Sequence, residues 1–169
     1  MVSVRIRAPR EDELDRLRAI EVDAARRFAE LGMDDVAAMP PQSRDALERA
    51  RDSGHLWVAE LEGAPIAMAL TALLDGAPHL AELDVAVEHA GRGIGRALID
   101  HVIERARAAG HTTLTLHTFR DVPWNAPYYA RLGFELLEPD AMGPELREAT
   151  EADRACFGAA PRVCMRRRL

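Results

Sequence analysis

Along residues 80–110 the chain changes its hydrophobic period. Leu83, Val85 and Val87 alternate with Glu82, Asp84 and Ala86, the period of two that predicts a strand. Gly91, Gly93 and Gly95 follow. From Ile94 onward the apolar positions Leu98, Ile99, Val102 and Ile103 recur at helical spacing, with Arg and Asp on the other face, until Gly110 stops the helix. Upstream, residues 2–8 alternate and predict a first strand that Pro9 ends. Glu11, Asp12 and Glu13 suit a first helical turn, and Leu14, Leu17, Ile20, Val22 and Phe28 give that helix an apolar stripe to about Leu31. Gly32, Pro40 and Pro41 punctuate an irregular stretch, and a second helix is expected over 43–51. Residues 56–61 and 65–74, joined by Glu62-Gly63, carry a hairpin pattern, and residues 75–79 turn the chain into the strand at Leu80. After Gly110 the β-branched run 111–118 predicts a strand parallel to that one, because a whole helix separates them. A short helix from Asn125 to Gly133, a strand at 134–137, a weakly amphipathic segment at 144–154 and a last strand at 162–167 complete the pattern.

A strand feeding a glycine-rich helix N-terminus is an anion site. The first-turn N–H groups lack helical partners, the dipole is positive there, and glycine admits a phosphate to the backbone. Two phosphate-binding patterns fail at this turn. A Walker A loop needs Lys then Ser or Thr after its last glycine, where this chain has Arg96 and Ala97 and contains no lysine anywhere. A dinucleotide fingerprint needs a third Gly or Ala where Leu98 stands, and an acidic residue about 20 positions on that is missing.

Composition narrows the class. At 169 residues and 48% apolar, the chain fits one domain, 1–169, with a sizeable core. No apolar run is long enough for a membrane span, the N-terminus shows no leader pattern, and Cys156 and Cys164 suggest no disulfide framework. A cytoplasmic protein is the expectation. A net charge of −6 argues against nucleic acid as a partner and is compatible with a cationic amine.

Arg92-Gly93-Ile94-Gly95-Arg96-Ala97-Leu98 resembles the coenzyme A signature [Gln/Arg]-x-x-Gly-x-[Gly/Ala] of the GNAT superfamily of N-acetyltransferases. Asn125, Tyr129 and Leu132-Gly133-Phe134 match the second GNAT signature position by position. The resemblance spans nearly the whole chain. It implies an α/β fold with a mixed, mostly antiparallel sheet of about seven strands flanked by helices, and acetyl-CoA as co-substrate. It further implies an acyltransferase of EC class 2.3.1 that moves acetyl to a primary amine of a small molecule or peptide by direct attack in a ternary complex. Pyrophosphate contacts would fall on the main chain at Arg92, Gly93, Ile94, Gly95 and Arg96. The helix–loop–helix before residue 51 would cover one side of the acceptor pocket, and a homodimer is the family habit. The alternative is a non-catalytic CoA-binding or sensory module of the same fold. Acetylation of charged tRNA suits the acidic balance poorly.

The chemistry assigns residues. A pantetheine arm can pair with unpaired main chain as a substitute strand, for which Val85 and Val87 are the chosen donors. Glu82 matches the strand position of a glutamate base in many GNAT members, and Asp84 on the same strand face and His117 are further candidates. Tyr129 would protonate the departing sulfur, and Asn125, one turn earlier, could hold the arm. Trp124 either walls the channel or anchors the loop. His89 and His101 are expected at the surface. No His, Cys or Asp cluster has metal-ligand spacing, and the chemistry needs no metal.

Overall fold

The computed structural model describes residues 4–169, so Val2 and Ser3 of the expected first strand lie outside the described residues. Among the described residues seven strands form one mixed sheet in the order β1-β2-β3-β4-β5-β7-β6. They are β1 (Arg5–Arg7), β2 (Leu56–Leu61), β3 (Ala64–Leu74), β4 (Ala77–Val85), β5 (Thr113–Phe119), β6 (Glu135–Leu136) and β7 (Arg162–Arg168). Helices α1 (Leu14–Ala25), α2 (Asp34–Ala37), α3 (Arg44–Asp52), α4 (Ile94–Ala108), α5 (Ala126–Arg131) and α6 (Pro144–Phe157) flank it. β1 and β2 pair antiparallel, as do β2 and β3, whereas β4 and β5 pair in parallel at His79–Thr115 and Leu80–Leu116. The β2–β3 turn has Glu62 and Gly63 at φ 51° and 85°, the two positive values a type I′ hairpin requires.

The chain divides into two compact units: the chain up to Thr71 with Glu82–Val102, and Ala72–Ala81 with Ile103–Leu169. In the first unit Leu14, Leu17 and Ile20 of α1 meet Leu47 of α3 and Leu56, Val58, Met68 and Leu70 of the hairpin. Ser43 caps α3 by accepting from Ala46 N–H at 3.2 Å. Arg7 binds Glu13 through both ends of its guanidinium fork, at 2.7 and 2.8 Å, and reaches Glu60 through Nε at 2.6 Å. Glu13 also accepts from Arg10 N–H at 2.7 Å, so one buried carboxylate ties β1 to the start of α1.

In the second unit β7 lies antiparallel to β5 along its whole length and to β6 at Glu135 and Leu136. Leu137, Met142, Leu146 and Cys164 form its apolar cluster, with Leu74 against them. Arg162 forks onto Asp153 at 2.7 and 2.6 Å while its guanidinium stacks over the rings of Phe119 and Phe157, 4.4 and 4.2 Å from their centroids. Both cysteines are free thiols, Cys156 exposed and Cys164 buried.

Several elements depart from the expected boundaries. β4 begins at Ala77 rather than Leu80, because Asp75 and Gly76 alone make the turn, at φ 51° and 72°. It ends at Val85, and Val87–His89 coil into a 3-10 turn. The first helix is α-helical only to Ala25 and then tightens to a 3-10 helix over Arg26–Leu31. Leu31, in the 3-10 segment, sits 46% exposed, and Val22, out of phase with Leu14 and Leu17 on α1, sits 38% exposed instead of extending the buried stripe. Residues 34–37 of the irregular stretch form a single helical turn, and α6 runs three residues beyond the expected 154.

Candidate active site

In the first unit, the end of β4 from Glu82 to Val85, the glycine turn and the start of α4 from Ile94 follow one another without interruption. Gly91 and Gly93 adopt φ of 75° and 81°, which glycine enters without steric cost. The first helical bond of α4 runs from Ala97 N–H to Gly93 O at 3.0 Å, so the N–H groups of Ile94, Gly95 and Arg96 precede the intrahelical ladder. Ile94 is buried and roots the turn in the core, while Arg92, Gly93 and Arg96 are exposed. A Cβ placed on Gly93 would meet nothing within 4 Å, so space is open where a phosphate would approach. Arg96 also reaches Asp100 across one helical turn at 3.6 Å. These features fit a bound pyrophosphate.

Val85 closes β4, whereas Val87 lies past the strand. Its N–H donates to Asp23 Oδ2 of α1 at 2.8 Å and its carbonyl accepts from Ala90 N–H at 3.1 Å. A pantetheine amide taking the Val87 N–H would have to displace Asp23. A cavity of about 510 Å³ opens beside this contact, lined by Arg16, Asp23 and Arg26 of the first helical segment and by Val87 and Glu88.

Glu82 and Asp84 belong to an acidic cluster completed by Glu21 of α1. Gln42, in the loop before α3, joins its members: its N–H donates to Glu21 Oε2 at 2.9 Å and its side-chain amide donates to Glu82 Oε1 at 3.4 Å. Asp84 Oδ2 is closed off from solvent and has no hydrogen-bond partner among the described residues. Burial, then the charges of Glu82 and Glu21, push the Asp84 carboxyl well above the usual carboxylate range. Burial likewise raises Glu21, opposed by the Gln42 N–H and by Arg18.

In the second unit, Asn125 caps α5: its carbonyl accepts from Tyr129 N–H at 3.0 Å, and its side-chain Oδ1 accepts from Phe119 N–H at 3.3 Å, tying the helix to the end of β5. Tyr129 sits edge-on to Phe134 at 5.7 Å and to Tyr128 at 5.4 Å, and Trp124 is half-buried. His117 is drawn into a different network. Thr150 gives its hydroxyl hydrogen to Leu146 O at 2.7 Å, so it accepts from His117 Nε2–H at 2.8 Å. His79 packs 4.6 Å from His117, centroid to centroid, and bonds Thr115 through Nδ1 at 2.8 Å. Burial lowers His117, and burial together with His117 lowers His79 to about 3. With Nε2 engaged as the donor, the lone pair of the neutral His117 ring lies on Nδ1. Among the described residues no group of His, Cys, Asp and Glu is arranged to hold a metal ion.

His101 and His89 are half-buried rather than fully exposed: His101 packs edge-on to Trp57 at 4.6 Å, and the His89 side chain is 16% exposed. Glu21, Asp23 and Gln42 are functional candidates that motif reading passed over. Glu21 had a sequence signal, since it stands seven positions after Leu14 and four after Leu17, on the apolar edge of α1. Gln42 had none.

The fold is that of the N-acetyltransferases. N-acetylglutamate synthase from Neisseria gonorrhoeae, solved with coenzyme A and N-acetyl-glutamate, superposes with a TM-score of 0.76 at 20% identity over 100% of this chain. This chain spans 36% of that protein. The PaiA N-acetyltransferase of Thermoplasma acidophilum, solved with coenzyme A, matches with a TM-score of 0.69 at 13% identity, covering 99% of this chain and 100% of its own. The ribosomal-protein-S18-alanine N-acetyltransferase of Escherichia coli matches with a TM-score of 0.69 at 19% identity, over 98% of this chain and 94% of its own. The sequence profile of the acetyltransferase (GNAT) family matches residues 14–134, and the chain belongs to that family.

Proposed function

We propose that the protein is an acetyl-CoA-dependent N-acetyltransferase acting on a primary amine of a small molecule or a peptide. The observation that carries this reading is the unbroken run from the carboxylates of β4 through the positive-φ glycines to the start of α4. Bound there, acetyl-CoA supplies the acetyl thioester. The main chain at Arg92, Gly93, Ile94, Gly95 and Arg96 holds its phosphates, and Val85 pairs with the pantetheine arm, with Asn125 as a further contact. Glu82 takes the proton of the acceptor ammonium, whose pKa of about 10.4 leaves few molecules nucleophilic at neutral pH. Tyr129 donates its phenolic hydrogen to the sulfur as charge develops on it. A phenol with a pKa of about 10 stays protonated for that purpose, while a thiol of about 8.5 makes full transfer uphill and favours a hydrogen bond.

The test is release of coenzyme A thiol across a panel of amines, with acetylated products identified by mass spectrometry. Amine-dependent release and a matching acetylated product are expected. Tight acetyl-CoA binding with no acetylated amine across the panel would instead make the chain a CoA-binding module.

A further inference from the structure

The glycine turn is entered through the 3-10 turn Val87–His89, and that turn has no cap from its own neighbour. Ala86 stands at the N-cap position and has no side-chain oxygen to accept the Val87 N–H. The turn closes on His89 N–H to Ala86 O at 2.8 Å and Ala90 N–H to Val87 O at 3.1 Å, bonds of the poorer 3-10 geometry. Val87 and Glu88 are exposed, so burial of their side chains does little to hold it. Asp23, near the end of α1, supplies the missing acceptor: its Oδ2 takes the Val87 N–H at 2.8 Å across 64 positions of sequence. Its Oδ1 lies 3.5 Å from the Arg26 guanidinium, one helical turn on. Beyond Ala90 come Gly91 and Gly93 at positive φ, and the first helical bond of α4 forms only at Ala97. Such a segment presents its N–H groups to a phosphate in one arrangement only when both ends are fixed. Buried Ile94 fixes one end, and Asp23 fixes the other.

We propose that Asp23 is a positioning residue for the coenzyme: it caps the Val87–His89 turn from α1 and so presets the glycine turn for the pyrophosphate. This rests on the acetyltransferase reading, with the phosphates at that turn, and adds a residue that acts through the Val87 N–H. Without the carboxylate, that N–H opens to the cavity of about 510 Å³ beside it, where water can take it, so the cap is lost and the fold is kept. Coenzyme binding must then order the turn, and affinity falls. A charge-assisted hydrogen bond of this kind corresponds to about tenfold or more in an equilibrium constant.

The experiment is calorimetric titration of coenzyme A into the wild type, Asp23→Ala, Asp23→Asn, Val87→Pro and the Asp23→Ala, Val87→Pro double variant, with urea unfolding of each. Asp23→Ala is expected to weaken coenzyme A by about tenfold, and Asp23→Asn to recover most of that loss, because its amide oxygen still accepts. Val87→Pro removes the N–H itself at a first helical position, which accommodates the proline ring. In that background Asp23→Ala should change the affinity no further. With an accepted amine, Asp23→Ala should raise KM for acetyl-CoA and leave kcat near wild type. A contact that only supports the fold would lower the urea midpoint of Asp23→Ala and leave its coenzyme affinity unchanged. That result, or an equal loss of affinity in the Val87→Pro background, overturns the positioning role, while coenzyme binding by the wild type leaves the acetyltransferase reading standing. A wild type that binds no coenzyme A overturns both.

Discussion

His79 is the residue whose titration the fold opposes most openly. It is 6% exposed, its Nδ1 is bonded to Thr115, His117 lies against it, and its pKa falls to about 3. In the unfolded chain the same imidazole titrates near 6.5. A depressed folded pKa means the full contribution to stability is present above about 6.5 and is lost progressively as pH falls toward 3, because only the unfolded chain binds the proton. Between pH 8 and pH 5 the unfolded state gains about 1.5 pH units of protonation at 1.36 kcal/mol per unit, roughly 2 kcal/mol. That figure depends on the unfolded pKa and requires only that the folded one lie well below 5. His117, lowered by burial, adds to the loss with the same sign. Urea unfolding of the wild type and of His79→Gln at both pH values isolates the effect, since every other group cancels in the double difference. The wild type should lose about 2 kcal/mol more than the variant on acidification. Identical losses in the two proteins would show that His79 protonates freely in the folded state and would refute the reasoning.

Further outcomes follow from the site and its support. Gly93→Val places a branched side chain at φ 81° in the open space above the turn and should weaken acetyl-CoA at least about tenfold by calorimetry; undiminished affinity would remove the phosphates from this turn. Glu82→Gln should lower kcat by about 10²-fold or more, most at low pH, with acetyl-CoA affinity preserved, and an unchanged pH–rate profile would place the base elsewhere. Tyr129→Phe keeps the edge-on ring contact with Phe134 and removes only the hydroxyl, so a fall in kcat of about 10²-fold is expected; wild-type turnover, with chemistry shown to limit the rate, would leave the ring a packing role. Arg162→Lys loses the fork onto Asp153 and the stacking between Phe119 and Phe157, and should cost about 1–3 kcal/mol in urea unfolding, a loss that no drop in midpoint would contradict.

Elements whose determinants are contiguous were legible in the sequence. The Glu62-Gly63 hairpin has its turn chemistry on the two residues that make the turn, and α4 has its stripe and its closing Gly110 within one run. Boundaries set by distant partners were not. The alternation that carries through Val87 does not sense that Asp23 captures Val87 N–H and that Val87–His89 coil into a 3-10 turn beyond the end of β4 at Val85. Val22 looked like a stripe residue from composition, while helical phase gives the position beside Leu14 and Leu17 to Glu21. The same limit applies to the site. Two carboxylates two residues apart on a strand are visible by eye, but Glu21 and Gln42 join them from segments 40 and more positions away.

The two cysteines of the second unit bear on how turnover is to be measured. Cys156 is exposed, whereas burial first of all pushes the Cys164 thiol up to about 11. At pH 8 roughly one Cys164 in a thousand is ionised, and the thiolate is the species that attacks a disulfide dye. Such a dye therefore meets one accessible thiol per chain before any substrate is added. The other becomes titratable only when β7 leaves the sheet. Product appears as a steady slope above a fixed, stoichiometric offset, and a second rise in that offset, without substrate, reports loss of the folded enzyme in the same cuvette.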